Sequence, residues 1–269
     1  MEFITGRNPR PPRIMIYGTA GVGKSTLAAH APNPVFLDIE DRLGEIECQS
    51  FPRADATRYP VLSTVDDVLS AISDLYTKDH DRQTVILDTA DEFERVAQSD
   101  VAKTHGHKHV EDFGYGKGYK FALAEWQKIM DGMNALRNDK NMMVIITAHD
   151  HVERFNHPET DPYDRFTPRL RPEVTELIKG RFDGVFFATR KVYTVTKEEG
   201  FGRKHTRATG GSPQPVLKTC EMATNIGKGW SGLPEEISMV DPAACMNVIL
   251  DIAPSDTKDK PKNKKEEVA

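Results

Sequence analysis

A chain of 269 residues, 38% of them hydrophobic, can bury one sizeable α/β core with a small appendage at most. No apolar run approaches the ~18 residues of a membrane helix, and the opening MEFITGRNPRPPR lacks a signal-peptide core. A formal net charge of -5 argues against coating nucleic acid by charge alone, while leaving room for a local basic groove.

In chain order, short apolar runs alternate with helical periodicity. Residues 1–12 read as an N-terminal arm. RIMIY (13–17) reads as a strand, followed by GTAGVGKST (18–26) and the helix KSTLAAHA, and PVFLDI (34–39) reads as a second strand. In STVDDVLSAISDLY, Val65, Val68, Leu69, Ile72 and Leu75 share one helical face; Ser63 or Thr64 can cap the N-terminus, and Asp66 and Asp67 favour its positive end. TVILD (84–88) is a third strand. FALAEWQKIMDGMNAL sets Trp126, Ile129, Met133 and Leu136 on one face of a further helix, and MMVIITA (142–148) and DGVFFAT (183–189) add two strands. Such continuous apolar runs suit strands buried on both faces of a parallel sheet. The repeated alternation predicts an α/β domain over 13–252, a doubly wound, mostly parallel sheet with right-handed crossovers. Near 190–207, KVYTVTKEEGFGRKHTR alternates and turns at Glu199-Gly200, which predicts a β-hairpin. The tail, 253–269, has almost nothing to bury and reads as disordered and charged. Cys48, Cys220 and Cys245 stand at no metal spacing, which leads to the expectation of free thiols in a reducing cytoplasm, with no membrane partner.

The chemistry starts at the first turn. GTAGVGKST matches G-x-x-x-x-G-K-[ST] between a strand and a helix, the context the motif needs. Gly18, Gly21, Val22, Gly23, Lys24, Ser25 and Thr26 would wrap a phosphate with backbone N–H groups, at a helix N-terminus that adds partial positive charge. Lys24 would reach the β- and γ-phosphates, and Ser25 would hold Mg²⁺ through its hydroxyl. A chance Gly-rich turn is the bland alternative, and the Lys-Ser pair in register argues against it.

Asp88, at the tip of a buried strand, is the candidate for the second metal-side oxygen, the alternative being a cap for the next turn. Where many ATPases follow this aspartate with a water-activating glutamate, this chain has Thr89. Asp91, Glu92 and Glu94 read as charges at a helix start. Glu40 is the stronger candidate base, because PVFLDIEDRL brings it just past the carboxyl edge of its strand, where ligands bind in open α/β sheets. Asp38 and Asp41 are the fallback choices.

LDIE resembles the setting in which RecA-type recombinases and ring helicases carry their catalytic glutamate. Taken in order, GTAGVGKST, PVFLDIEDRL, LDTADEFE, VEDFGYGKGY and VIITAHDHVERF resemble phage-type nucleotide-binding ATPases of the RecA-like superfamily over residues 10–240. That group includes single-strand annealing proteins encoded beside single-stranded-DNA-binding proteins. The resemblance implies ATP- and Mg²⁺-dependent work on single-stranded DNA in recombination or annealing, with a single-stranded-DNA-binding protein as partner. It also implies a homo-oligomer, ring or filament, in the host cytoplasm if phage-encoded. His149 stands where such relatives carry a polar γ-phosphate sensor; a histidine satisfied by a neighbouring carboxylate is the alternative. Such ATPases complete their site with a basic residue from the adjacent subunit. GKGWSGLP keeps Lys228 but has Trp230 where an arginine is expected, leaving Arg190, Lys191 and Arg203 as substitutes. Without such a finger, hydrolysis slows by about 10³–10⁵.

Three segments are candidates for DNA. Ala102–Lys120 has four lysines against two acids, with Phe113, Tyr115 and Tyr119 among glycines, so Lys117 with Tyr115 and Tyr119 could serve phosphate and bases. Asp150–Arg171 has a net charge of -1 and is a poor groove. Thr189–Arg207, net +4, offers Arg203 and Lys204, although lysines also guard solvated edge strands. His105, His107 and His109 alternate without further metal ligands and read as a solvated loop. Two competing classes remain: a P-loop kinase, with RFTPRLR as its lid, and a nucleotide-gated assembly protein with little turnover.

Overall fold

In β1 (Arg13–Gly18), Ile14 and Ile16 enter one apolar cluster while Met15 and Tyr17 enter another, and all four are buried. This period of two, apolar on both sides, is what a strand covered by helices on both faces needs. The computed structural model describes residues 10–40, 49–50, 62–191, 194–199, 203–208 and 213–253. Most of the expected arm and tail, with Asp41 and Cys48, lies outside them.

After β1 come α1 (Lys24–Ala29), β2 (Pro34–Asp38), β3 (Gln49–Ser50), α2 (Val65–Thr77), β4 (Thr84–Asp88) and α3 (Ala90–Thr104). A 3₁₀ turn at Val110–Phe113 leads to α4 (Lys117–Asp139), β5 (Met143–Phe155), β6 (Tyr163–Pro168), α5 (Pro172–Arg181) and β7 (Gly184–Arg190). The rest comprises β8 (Thr194–Glu199), β9 (Arg203–Ala208), β10 (Pro215–Lys218), β11 (Glu236–Ser238) and α6 (Pro242–Ile252). The main sheet runs β11-β10-β7-β1-β5-β4-β2-β3. All neighbours from β7 to β3 are parallel, and β10 and β11 add an antiparallel edge. It is a doubly wound, mostly parallel sheet.

Helices α2 to α5 cover one face and α1 and α6 the other. Thr64 caps α2: its hydroxyl accepts from Asp67 N–H, and the Asp67 carboxylate accepts from Thr64 N–H. Among the described residues no helix is long and apolar enough to cross a membrane.

The structure departs from the sequence reading at the end of β5 and at the start of α4. β5 does not stop at Ala148; it continues to Phe155 and pairs antiparallel with β6, so Asp150–Arg171 is largely a β-ribbon. Past Ala148 most of its side chains are exposed, which removes the apolar signal while backbone pairing persists. α4 starts at Lys117, taking Lys117 and Tyr119 out of the loop. β8 and β9 pair antiparallel, with Glu199 opposite Arg203 and Glu198 opposite Lys204, and join no other strand among the described residues.

Gly18 closes β1 against β7, where any Cβ would collide with the Ala188 carbonyl. Gly18→Ala should therefore force the two strands apart. Thermal unfolding should show a loss of about 1–3 kcal/mol or more, as overpacking in a close-packed interior does.

Candidate active site

The carboxyl ends of β1, β2, β4 and β5 lie side by side, and the parallel register places Gly18 beside His149 and Asp38 beside Asp88. The P-loop leaves β1 through Gly21 (φ 71°) and Gly23 (φ 102°), left-handed conformations that favour glycine. Between them Val22 is buried in the α1 face of the core and anchors the loop, while Thr26 is exposed.

Lys24 is 6% exposed, and its ammonium donates to the carbonyls of Gly18 (2.9 Å) and Thr19 (3.1 Å). Burial lowers its pKa, opposed by the carboxylates of Asp88, Asp91, Asp150 and Glu40. Ser25 Oγ donates to Asp88 Oδ2 at 2.8 Å, and the Thr147 hydroxyl donates to the other carboxylate oxygen. A hydroxyl and a carboxylate meeting under a P-loop suit a hard divalent cation, which takes oxygen ligands. Thr89 Oγ1, buried beside Asp88, has no hydrogen-bond partner among the described residues, consistent with a site completed by a bound group.

A chain of charge runs sideways from there. Glu40 Oε1 lies 4.0 Å from His149 Nε2, while Asp91 accepts from the His149 backbone N–H (2.9 Å) and contacts Nδ1 (3.0 Å). Arg169 Nη2 donates to the same carboxylate at 2.6 Å. A carboxylate only accepts, so Nδ1 carries a proton and Nε2 is the atom facing Glu40. Burial pushes the Asp91 pKa up, but the hydrogen bonds from His149 and Arg169 outweigh it and hold the carboxyl well below the usual range. Asp91, in the first turn of α3 as the sequence suggests, is therefore also the partner of His149.

The sequence profile of the AAA domain family matches residues 10–230. The chain belongs to the AAA domain family. Among solved structures it is similar to the RadB recombinase, with 13% identity over 78% of this chain and 81% of that one and a TM-score of 0.41. No curated protein matches it.

As an AAA domain P-loop ATPase, the protein belongs to a class that binds nucleotide, usually with Mg²⁺. Three of the basic residues expected to reach a neighbour's site have partners within their own chain. Arg190, at the carboxyl end of β7, donates to the Gly21 carbonyl of its own P-loop at 3.3 Å. That location is in cis, because β7 is the direct neighbour of β1. Lys191 pairs with Glu236 at 2.5 Å, and Lys228 donates to the Lys179 and Phe182 carbonyls at the C-terminus of α5, so both ammonium groups are already engaged. Arg203 and Lys204 stand on β9 opposite acids.

Tyr115 is fully exposed with φ 50°, and Lys117 is exposed. Tyr119 donates to Glu111 at 2.5 Å, and the Arg171 guanidinium covers one face of its ring at 3.8 Å, so that face is not available to a base. His105 stacks on Phe121 and His107 packs against Phe113, within a loop in which His105 and His109 are exposed. Among the described residues no group of His, Cys, Asp and Glu is arranged to hold a metal by itself.

Glu94, one turn beyond Asp91, is 7% exposed, and burial pushes its pKa up to about 7 although the Arg171 N–H and charge oppose this. Its burial was legible: positions 90, 93, 94, 97 and 101 form one helical stripe, otherwise apolar. The unfolded carboxyl releases its proton near the ordinary value and the folded one near 7, so this group lowers stability progressively as pH rises through that window. Glu94→Gln keeps an acceptor for Arg171 N–H and removes the buried charge. It should match wild type near pH 4 and exceed it at pH 8 by up to about 3 kcal/mol in denaturant titrations.

Proposed function

We propose that the protein is an Mg²⁺-dependent ATPase acting on single-stranded DNA as a homo-oligomer, in the manner of the RecA-like annealing and recombination ATPases its motifs resemble. The observation that carries the ATPase part is the Ser25–Asp88 hydrogen bond beneath the P-loop, with Glu40 at the same sheet edge. In this reading backbone N–H groups of Gly21 to Ser25 bind the phosphates, and Lys24 turns from its loop carbonyls to the β- and γ-phosphates. Ser25 and Asp88 hold Mg²⁺, which when bound neutralises charge on those phosphates. Glu40 takes the proton of the attacking water, and His149, anchored by Asp91, faces it and senses the γ-phosphate. Arg190 supplies the additional cation in cis. The kinase alternative loses its lid, because Arg169 is bound to Asp91 and Arg165 and Arg171 lie on Phe155 and Tyr119. The DNA part rests on the resemblance and on Tyr115 beside Lys117 and Lys120; a single-stranded-DNA-binding protein is the partner the same resemblance supports.

ATP turnover measured with and without single-stranded DNA tests the reading: phosphate release should rise with DNA, and no small acceptor should become phosphorylated. Lys24→Ala should abolish tight ATP binding in a folded protein. Glu40→Gln should keep ATP binding and lose at least ~10²-fold in turnover; unchanged turnover moves the base to Asp38 or Asp41. Arg190→Ala should slow turnover, and mixing it with Lys24→Ala subunits should restore nothing, since a cis residue cannot be lent by a neighbour. Recovery in the mixture would show a trans role.

A further inference from the structure

Donors from two other segments converge on the buried carboxylate of Asp91, in the first turn of α3. Its Oδ1 accepts from the His149 N–H at 2.9 Å. Its Oδ2 accepts from Arg169 Nη2 at 2.6 Å and lies 3.0 Å from His149 Nδ1. The Arg169 N–H donates in turn to the His149 carbonyl at 2.8 Å, which closes a ring of hydrogen bonds through the three residues. The ring sits where β5 leaves the covered part of the sheet. His149 is the last buried residue of β5, and the next, Asp150, pairs with Pro168 just before Arg169. Backbone pairing alone does not orient an imidazole there; the hydrogen bond made by one ring nitrogen decides what the other can do. Asp91 therefore turns Nε2 toward Glu40, 4.0 Å away. Residues 169–171 meet α3 again one turn on, where Glu94 accepts the Arg171 N–H beside a cavity of about 240 Å³ that Tyr119 also lines. That second contact keeps Arg169 close to Asp91.

We propose that Asp91 and Arg169 are positioning residues of the ATPase site, which act through His149 to fix the placement of Glu40. The inference rests on the ATPase reading above, in which Glu40 is the base, and adds what holds that base in place. A carboxylate that takes a proton from an attacking water must keep one orientation relative to the phosphate. Nε2 restricts Glu40 in either state of the ring, by direct charge contact when doubly protonated or through a shared water when neutral. An amide cannot do the work of Asp91. Its donors need two acceptor oxygens, whereas asparagine has one oxygen and an NH₂ that would face a donor. Whichever way such an amide lies, it loses either the His149 N–H or the contacts that Nδ1 and Arg169 share. Arg169 holds the same carboxylate from outside with a side chain that is 56% exposed, so its removal opens no core.

Single-turnover hydrolysis and equilibrium ATP binding, measured on the full-length protein with Mg²⁺, separate placement of the base from nucleotide affinity. Asp91→Asn should slow the chemical step by about 10²-fold, the cost of misplacing a catalytic group by an ångström, and leave ATP affinity within about twofold. Arg169→Ala should slow it by a smaller factor, again without loss of affinity. In a His149→Ala background neither substitution should slow hydrolysis further, because both act through the imidazole. Slowing that adds to that of His149→Ala overturns the proposal, as does a loss of ATP affinity as large as the loss of rate. If Asp91→Asn does not fold, Arg169→Ala with and without His149 decides in the same way. Nitrogen-15 NMR of histidine-labelled protein adds a readout free of turnover. The His149 signal, identified by its absence in His149→Ala, should show a protonated Nδ1, and a bare Nδ1 overturns the ring. A wild type that does not hydrolyse ATP removes the ATPase reading itself. An active wild type with equally active Asp91→Asn removes only the positioning role.

Discussion

A carboxylate buried at the edge of a sheet must be hydrogen-bonded or it destabilises the fold by several kcal/mol. Asp88 meets that demand with one hydroxyl from the P-loop and one from the neighbouring strand, Ser25 and Thr147. The same two bonds fix the distance from P-loop to sheet. Because β5 lies between β1 and β4, Thr147 can bridge to Asp88 only if the parallel register on both sides is kept. Stability and site geometry therefore depend on one side chain.

From Asp88 the order of strands determines which charges can meet. β2 brings Glu40 and β5 brings His149 to one edge, while α3 and the segment after β6 contribute Asp91 and Arg169. One turn further along α3 the same segment meets Glu94 through Arg171 N–H. The two acids respond oppositely to burial. Asp91 has an imidazole, a guanidinium and a backbone N–H, so it stays ionised; Glu94 has one backbone donor and a more distant cation, so desolvation dominates. The nucleotide edge and the cavity under Tyr119 thus share a helix and a loop, and any shift of α3 relative to residues 169–171 is felt at both.

Electrostatics beyond the site are local. On the β8–β9 ribbon the register sets Glu199 opposite Arg203 and Glu198 opposite Lys204, and the two strands carry a net charge of +2. Lys117 and Lys120, in the first turn of α4, are not neutralised in this way. The stretch from Tyr115 to Lys120 is therefore the better of the two basic candidates, for a reason that composition does not contain.

Much of this protein was legible without coordinates. The buried strands follow from continuous apolar runs, α2 and α4 from period-3.6 stripes, and the P-loop from a spacing that only a strand-turn-helix accommodates. These are signals carried by neighbours in sequence, and the chain alone determined them. Tertiary structure decided what distant residues do together. The exposed continuation of β5 into β6 has pairing without apolar pattern, so periodicity could not see it. Asp91, in the first turn of α3, gains His149 as a partner only because β5 delivers it, and Arg190 reaches its own P-loop only because β7 pairs with β1. Lys228 has the right local motif, yet two carbonyls at the end of α5 occupy its ammonium. For these three side chains the partner lies tens of residues away, and which partner arrives depends on strand order and register, quantities set by packing the whole sheet and encoded in no single segment.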